Sequence, residues 1–199
     1  MNFYAGIGSR ETPVDILIDI LKFASEMAAM GWGLTSGGAT GADTAFEQGH
    51  GELNKEIYLP WKGFNKNPSR LYLQTAQAKA SVDQYHPAPQ NLSPAARKMM
   101  ARNYHQVMRS FGKATEPVRF VACWTLAGLT GGGTGQALRI AAAHNIPVYN
   151  FATISLAEAL ESVKGLANWA ACEGADDCDA HHPCQRHAAE ANAGRFTQR

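Results

Sequence analysis

Asp43 and Glu47 stand four residues apart, directly after the glycine-rich run Gly37-Gly38-Ala39-Thr40-Gly41. On a helix that spacing puts both carboxylates on one face. From there they can bind ribose hydroxyls or serve as a general base at an anomeric carbon. The glycine run lies between an apolar stretch, Gly33–Ser36, and a helical pattern opening at Ala42. A strand entering a helix through glycines presents unpaired N–H groups to one point, with the helix dipole behind them, which is a site for an anion and most often a phosphate. Two further runs repeat the pattern, Gly6-Ile7-Gly8-Ser9-Arg10 and Gly131-Gly132-Gly133-Thr134-Gly135. The candidate ligand-binding residues are therefore Gly8, Ser9, Arg10, Ser36, Gly37, Gly38, Thr40 and Gly41, joined by Gly132, Gly133, Thr134, Gly135, Gln136 and Arg139. Arg10, Arg70 and Arg139 can clamp a phosphate bidentately, and Trp61 and Trp124, which follow strand ends, can stack on a base. Ser9, Ser36 and Thr40 have no evident His/Asp partner, so a nucleophilic triad is not expected.

A second constellation occupies the C-terminal tail. Cys172, Cys178, Cys184 and His187 have the spacing C-x5-C-x5-C-x2-H, enough thiolate and imidazole for a tetrahedral zinc. The spacing departs from the C-x2-C of common zinc fingers, and a tail docked on a partner is the competing expectation. Cys123 falls at a strand end and is expected in the core.

The elements that must position these groups follow from pattern. The 199 residues are 45% hydrophobic and 18% charged, an ordinary balance for one globular domain. The N-terminus lacks the basic and long apolar regions of a signal peptide, so a cytoplasmic protein is expected. The net charge of +1 conceals an asymmetry. Residues 54–119 hold 11 basic against 3 acidic side chains, whereas residues 1–53 hold 2 against 7. A basic middle of this kind suits a phosphate-bearing partner or a solvated face.

Apolar runs at Phe3–Ile7, Gly33–Ser36, Lys55–Leu59, Val118–Cys123 and Pro147–Phe151 read as strands. Helical spacing follows Thr12 to about Met30, from Ala42 to Gln48, from Ser93 to about Phe111, over Thr134–His144 and from Leu156 to about Leu166; a further helix is expected within Leu71–Ser81. The alternation predicts an α/β fold, a Rossmann-like doubly wound and mostly parallel sheet with helices on both faces. It spans residues 1–167, with 168–199 as a separate tail. All three glycine turns then fall on the carboxyl edge of the sheet, where ligands bind in such folds.

The runs GIGSR, SGGATGAD and GGGTGQALRIAAAHNIPVYN, with KEIYLPWKGFN and LSPAARKMMARN, resemble the SLOG superfamily. It includes the DprA family of DNA-processing proteins, the LOG phosphoribohydrolases and nucleotide sensors of bacterial defence. The resemblance covers residues 2–151 and is nearest to the small single-domain DprA-like proteins of phages and bacteria. It implies a nucleotide or nucleotide-derived ligand and a homo-oligomer. In LOG enzymes the motif PGGxGTxxE ends in a glutamate that helps cleave the N-glycosidic bond; here Arg139 stands at that position. Three functions are thus expected to compete. One is a nucleotide sensor, carrier or sequestering protein. Another is a single-stranded DNA binder using Arg97, Lys98 and Arg102 from the basic middle. The third is an N-glycosidase in which Glu47 or Asp43 replaces the missing glutamate.

Overall fold

The computed structural model describes residues 1–109 and 115–172, with side chains as far as 166. These residues fall into two units, Met1–Leu160 and one beginning at Glu161. The packing described below is that of the first.

Strands β1 (Phe3–Gly8), β2 (Gly33–Ser36), β3 (Lys55–Ile57), β4 (Val121–Trp124) and β5 (Val148–Asn150) form one sheet in the order β3-β2-β1-β4-β5. Every neighbouring pair is parallel, so the α/β Rossmann-like fold expected from the alternation is the fold observed. The helices are α1 (Val14–Ala29), α2 (Ala42–His50), α3 (Ala76–Tyr85), α4 (Pro94–Met108), α5 (Gly132–Ala143) and α6 (Leu156–Cys172). Among the described residues no helix is long and apolar enough to cross a membrane.

The central strand explains the two layers. Successive side chains of a strand point to opposite faces. Tyr4 meets an aromatic cluster, with ring centroids 5.9 Å from Phe23 of α1, 6.3 Å from Phe46 of α2 and 5.4 Å from Phe120. Ala5 and Ile7 join the opposite core with Val107 of α4, Val121 and Cys123 of β4, and Ala137 and Ile140 of α5. Burial pushes the Cys123 thiol up to about 12.

Several boundaries differ from the sequence reading for local reasons. The N-cap of α1 is Pro13, not Thr12, whose hydroxyl donates instead to the Ser9 carbonyl at 2.8 Å. Helix α2 continues through Gly49 and ends at Gly51, whose φ is +77°. Gly49 permits a close approach between helices, since a Cβ there would run into the Leu21 carbonyl of α1. Thr75 caps α3 by accepting the Ala78 N–H, so that the helix runs Ala76–Tyr85 rather than Leu71–Ser81. Ser93 caps α4 as expected, and Ser155 with Glu158 forms a reciprocal cap on α6. Helix α4 stops at Met108, earlier than the expected end near Phe111, because Arg109 takes a left-handed φ of +45° and caps it.

Candidate functional site

The turns after β1 and β2 pack back to back. Gly41 has φ +82°, and a Cβ on it would lie 2.6 Å from the Ser9 carbonyl oxygen. Ala42 N–H donates to that oxygen at 3.2 Å, so one of the free donors at the start of α2 is already satisfied. The Asp43 carboxylate reaches back across the same gap and accepts the Gly8 N–H at 3.1 Å and the Ala39 N–H at 3.3 Å. Backbone donors expected to receive a phosphate are therefore held by an anion of the chain itself.

Behind Asp43 lies Arg102, delivered by α4. Its Nη1 donates to the Gly37 carbonyl at 2.6 Å and stands 3.5 Å from Asp43 Oδ2. Both side chains are buried, at 7% and 3% exposure. Gly37 is a glycine because a Cβ there would overlap the Arg102 guanidinium. Burial pushes the Asp43 carboxyl above the usual carboxylate range, and the Arg102 charge and the Ala39 and Gly8 amides oppose it. Burial likewise pulls Arg102 below its ordinary value against the attraction of Asp43. Arg102 Nε is buried without a hydrogen-bond acceptor among the described residues. Arg102 is thus an internal pin, and the expectation that it offers a surface charge to DNA is corrected.

The remaining residues of the first two turns divide between framework and rim. Ser36 Oγ donates to the Gly6 carbonyl at 2.7 Å and ties β2 to β1. The Gly38 carbonyl accepts Asn65 Nδ2 at 2.9 Å. Arg10 and Thr40 are exposed, and Gly8 and Ser9 are half-buried beside them. Glu47 does not join Asp43. It accepts Asn67 Nδ2 at 3.1 Å and pairs with Lys55 Nζ at 3.5 Å, on the side facing β3.

The third turn opens α5. Gly131 to Gly133 are exposed, and the space around a Cβ on Gly131 or Gly132 is open. Asn103 of α4 donates to the Gly133 carbonyl at 2.7 Å. Gly135 is packed on the Thr130 carbonyl with no room for a side chain. Gln136 and Arg139, expected to bind a phosphate, point instead at α3 and its flanks. Gln136 is fully buried and donates to the Ser81 carbonyl at 3.1 Å. Arg139 donates to the carbonyls of Tyr85 at 2.6 Å and Thr130 at 3.0 Å, and to Gln136 at 3.0 Å. Trp124, expected to stack on a base, is buried at the end of β4 opposite Gly8. Thr134 is half-buried.

The basic middle is sorted in the same way. Arg97 pairs with Asp83 at 2.7 Å. Arg109 pairs with Glu56 at 2.8 Å and Glu116 at 3.1 Å while lying over the Phe3 ring. Among the described residues, Arg10, Lys62, Lys66, Arg70 and Lys98 are exposed and make no ion pair. Three of them belong to the segment after β3, with Trp61, which is half-exposed and packs edge-on against Phe64 at 5.1 Å. That segment is firmly seated. Phe64 enters a core with Ala39, Ile57 and Leu59. Gln74 Nε2 donates to the carbonyls of both Pro60 and Lys98, joining the segment to α4.

The four residues whose spacing suits a zinc ion belong to the tail. Cys178, Cys184 and His187 lie outside the described residues, as does the side chain of Cys172. The described residues contain no group of three or more potential metal ligands.

No protein-family model and no curated protein matches this chain. A solved structure does: DNA processing protein A from Helicobacter pylori, studied for its single-stranded DNA binding mode, matches with a TM-score of 0.51 and 15% sequence identity. The fold is DprA-like. The match covers 75% of this chain and 64% of the Helicobacter protein, so the chain spans less than two thirds of that DprA.

Asn103, Asn65 and Asn67, which pin this site alongside Arg102, carry no signal in the sequence. Each acts on a backbone carbonyl or side chain far away in the chain, and no local motif marks such a partner.

Proposed function

We propose that this chain binds single-stranded DNA along the carboxyl edge of its sheet, through Arg10, Lys66, Lys98 and neighbouring cations, with Trp61 as a stacking platform. The observation that carries the reading is the set of exposed cations on the segments following β1 and β3 that make no ion pair among the described residues, with the half-exposed Trp61 indole on the second segment. Cations following a backbone and an aromatic face taking a base are what a sequence-tolerant strand binder needs. The Helicobacter protein of like fold binds single-stranded DNA, which supports the same reading. The two carboxylates offered for glycosidic chemistry are engaged elsewhere, Asp43 by Arg102 and two amides, Glu47 by Lys55 and Asn67.

A second reading is a nucleotide-binding module. It is favoured by the exposed turn Gly131–Gly133 at the start of α5, where a Cβ on Gly131 or Gly132 would meet open space, since a helix start is a site for an anion.

Fluorescence anisotropy with a labelled oligothymidylate, titrated at several salt concentrations, tests the first reading. Log affinity should fall with log salt by about 0.7 per phosphate contact, and Arg10→Ala or Lys66→Ala should lower both affinity and slope. Binding indifferent to salt and to these substitutions would overturn it.

A further inference from the structure

A cavity of about 520 Å³ opens in the segment after β3, lined by Lys62, Asn67, Ser69, Arg70 and Tyr72 among others. Its polar groups are of two kinds. Asn67 and Ser69 are saturated by the framework: Asn67 donates to Glu47 and accepts the Ser69 N–H, and Ser69 Oγ donates to the Ile57 carbonyl and accepts the Leu71 N–H. Lys62, Arg70 and the Tyr72 hydroxyl have no partner among the described residues. All three can donate, two carry positive charge, and no carboxylate lines the cavity among the described residues. Glu47 is held away by Lys55 and Asn67. The Tyr72 ring is packed against the core of Ala39, Ile57, Leu59 and Phe64, which fixes one wall.

We propose that this cavity is a binding site for a nucleoside 5′-phosphate, held as its dianion by Lys62 and Arg70. The inference rests on the strand-binding reading above and adds to it. An internal phosphodiester carries one negative charge. A terminal monoester carries −1.5 to −2 near neutral pH, which matches two unpaired cations. The volume lies within the range of small-ligand pockets, and Arg70 can meet two phosphate oxygens side by side. The same chemistry is offered by the 5′ end of a strand and by a free mononucleotide.

The test compares a 5′-phosphorylated oligothymidylate, the same strand with a 5′-hydroxyl, and free thymidine 5′-monophosphate, with the label on the 3′ end. The phosphorylated strand should bind about tenfold more tightly than the hydroxyl strand, and the free nucleotide should compete that advantage away. Arg70→Gln and Lys62→Gln, both at exposed positions, should bring the ratio of the two strands to about one, whereas Arg10→Ala should weaken both strands and keep the ratio. If both strands bind equally and the nucleotide does not bind, the cavity assignment falls while strand binding stands. If neither strand binds and the nucleotide does, the cavity assignment stands and strand binding falls. If none of the three binds, both fall.

Discussion

Asp43 Oδ1 accepts the Gly8 N–H at 3.1 Å, so the carboxylate at the start of α2 holds the turn that ends β1. With Ala39 N–H as its second donor and Arg102 behind it, Asp43 occupies the anion position that glycine-rich turns create. The glycines do serve an anion, but it is an internal one. What reaches the edge of the sheet from outside meets Arg10 and Thr40 at the rim.

Removing that carboxylate should be costly. Asp43→Ala leaves Arg102 buried without its counter-charge, and a broken buried pair is worth about 3–5 kcal/mol. The midpoint of urea unfolding should drop accordingly with an unchanged slope. Asp43→Asn, which keeps an acceptor, should lose less.

Gly37→Ala should destabilise by about 1–3 kcal/mol or more, because the new methyl group and the Arg102 guanidinium claim one space. Combined with Arg102→Ala, the two losses should sum to less than their separate values, since the second change removes what the first collides with. A double-mutant cycle by chemical denaturation reads this directly, and strict additivity would contradict it.

The two tryptophans at strand ends should behave oppositely. Trp61→Ala should weaken DNA binding by about 1–3 kcal/mol, the cost of a lost stacking platform, with little change in stability. Trp124→Ala should instead lower stability by about 3–5 kcal/mol as a buried aromatic truncation. Anisotropy and thermal unfolding on both variants separate the effects.

Arg139→Ala should lower stability by about 1–3 kcal/mol by releasing the carbonyls of Tyr85 and Thr130. DNA affinity should stay as in the unsubstituted protein. A loss of affinity at full stability would return Arg139 to the ligand site.

Cys123 gives a pH signature. Its thiol is raised by burial from its ordinary value of 9.0 to about 12, so the native form stays protonated where the unfolded chain ionises. Its contribution is complete below about pH 9 and is lost as pH climbs towards about 12, at about 1.4 kcal/mol per unit. The stability difference between the protein and Cys123→Ala should shrink over that interval. Peptide mapping after iodoacetamide treatment should find Cys123 unmodified until denaturant unfolds the chain.

The layout of the sheet was legible because hydrophobic runs and glycine turns are local signals. Gly33–Ser36 and the start of α2 at Ala42 are observed where the pattern places them. The site was legible only in outline. Gly37 and Gly41 looked like ligand-binding glycines, yet each makes room for another part of the chain, Arg102 in one case and Ser9 with Arg10 in the other. A glycine that admits a ligand and one that admits a side chain look alike in sequence. The arginines show the same ambiguity. Arg97, Arg102 and Arg139 all read as charge offered to a ligand, and each is engaged by an acid or a carbonyl brought in from elsewhere in the fold.

The strand order also bears on how the chain assembles. β1 pairs on one side with β2, Phe3 opposite Gly33, and on the other with β4, Ala5 opposite Val121. The first ladder closes over a single crossover, the one that carries α1. The second requires almost the whole intervening chain to be gathered in, and such distant pairings slow folding. During synthesis the middle strand of the finished sheet is therefore an edge, with one row of backbone donors and acceptors unpaired until β4 leaves the ribosome. The half-sheet of β3, β2 and β1, with α1 and α2 behind it, must last through that interval, and it is in this period that the chain is most open to mispairing with another copy.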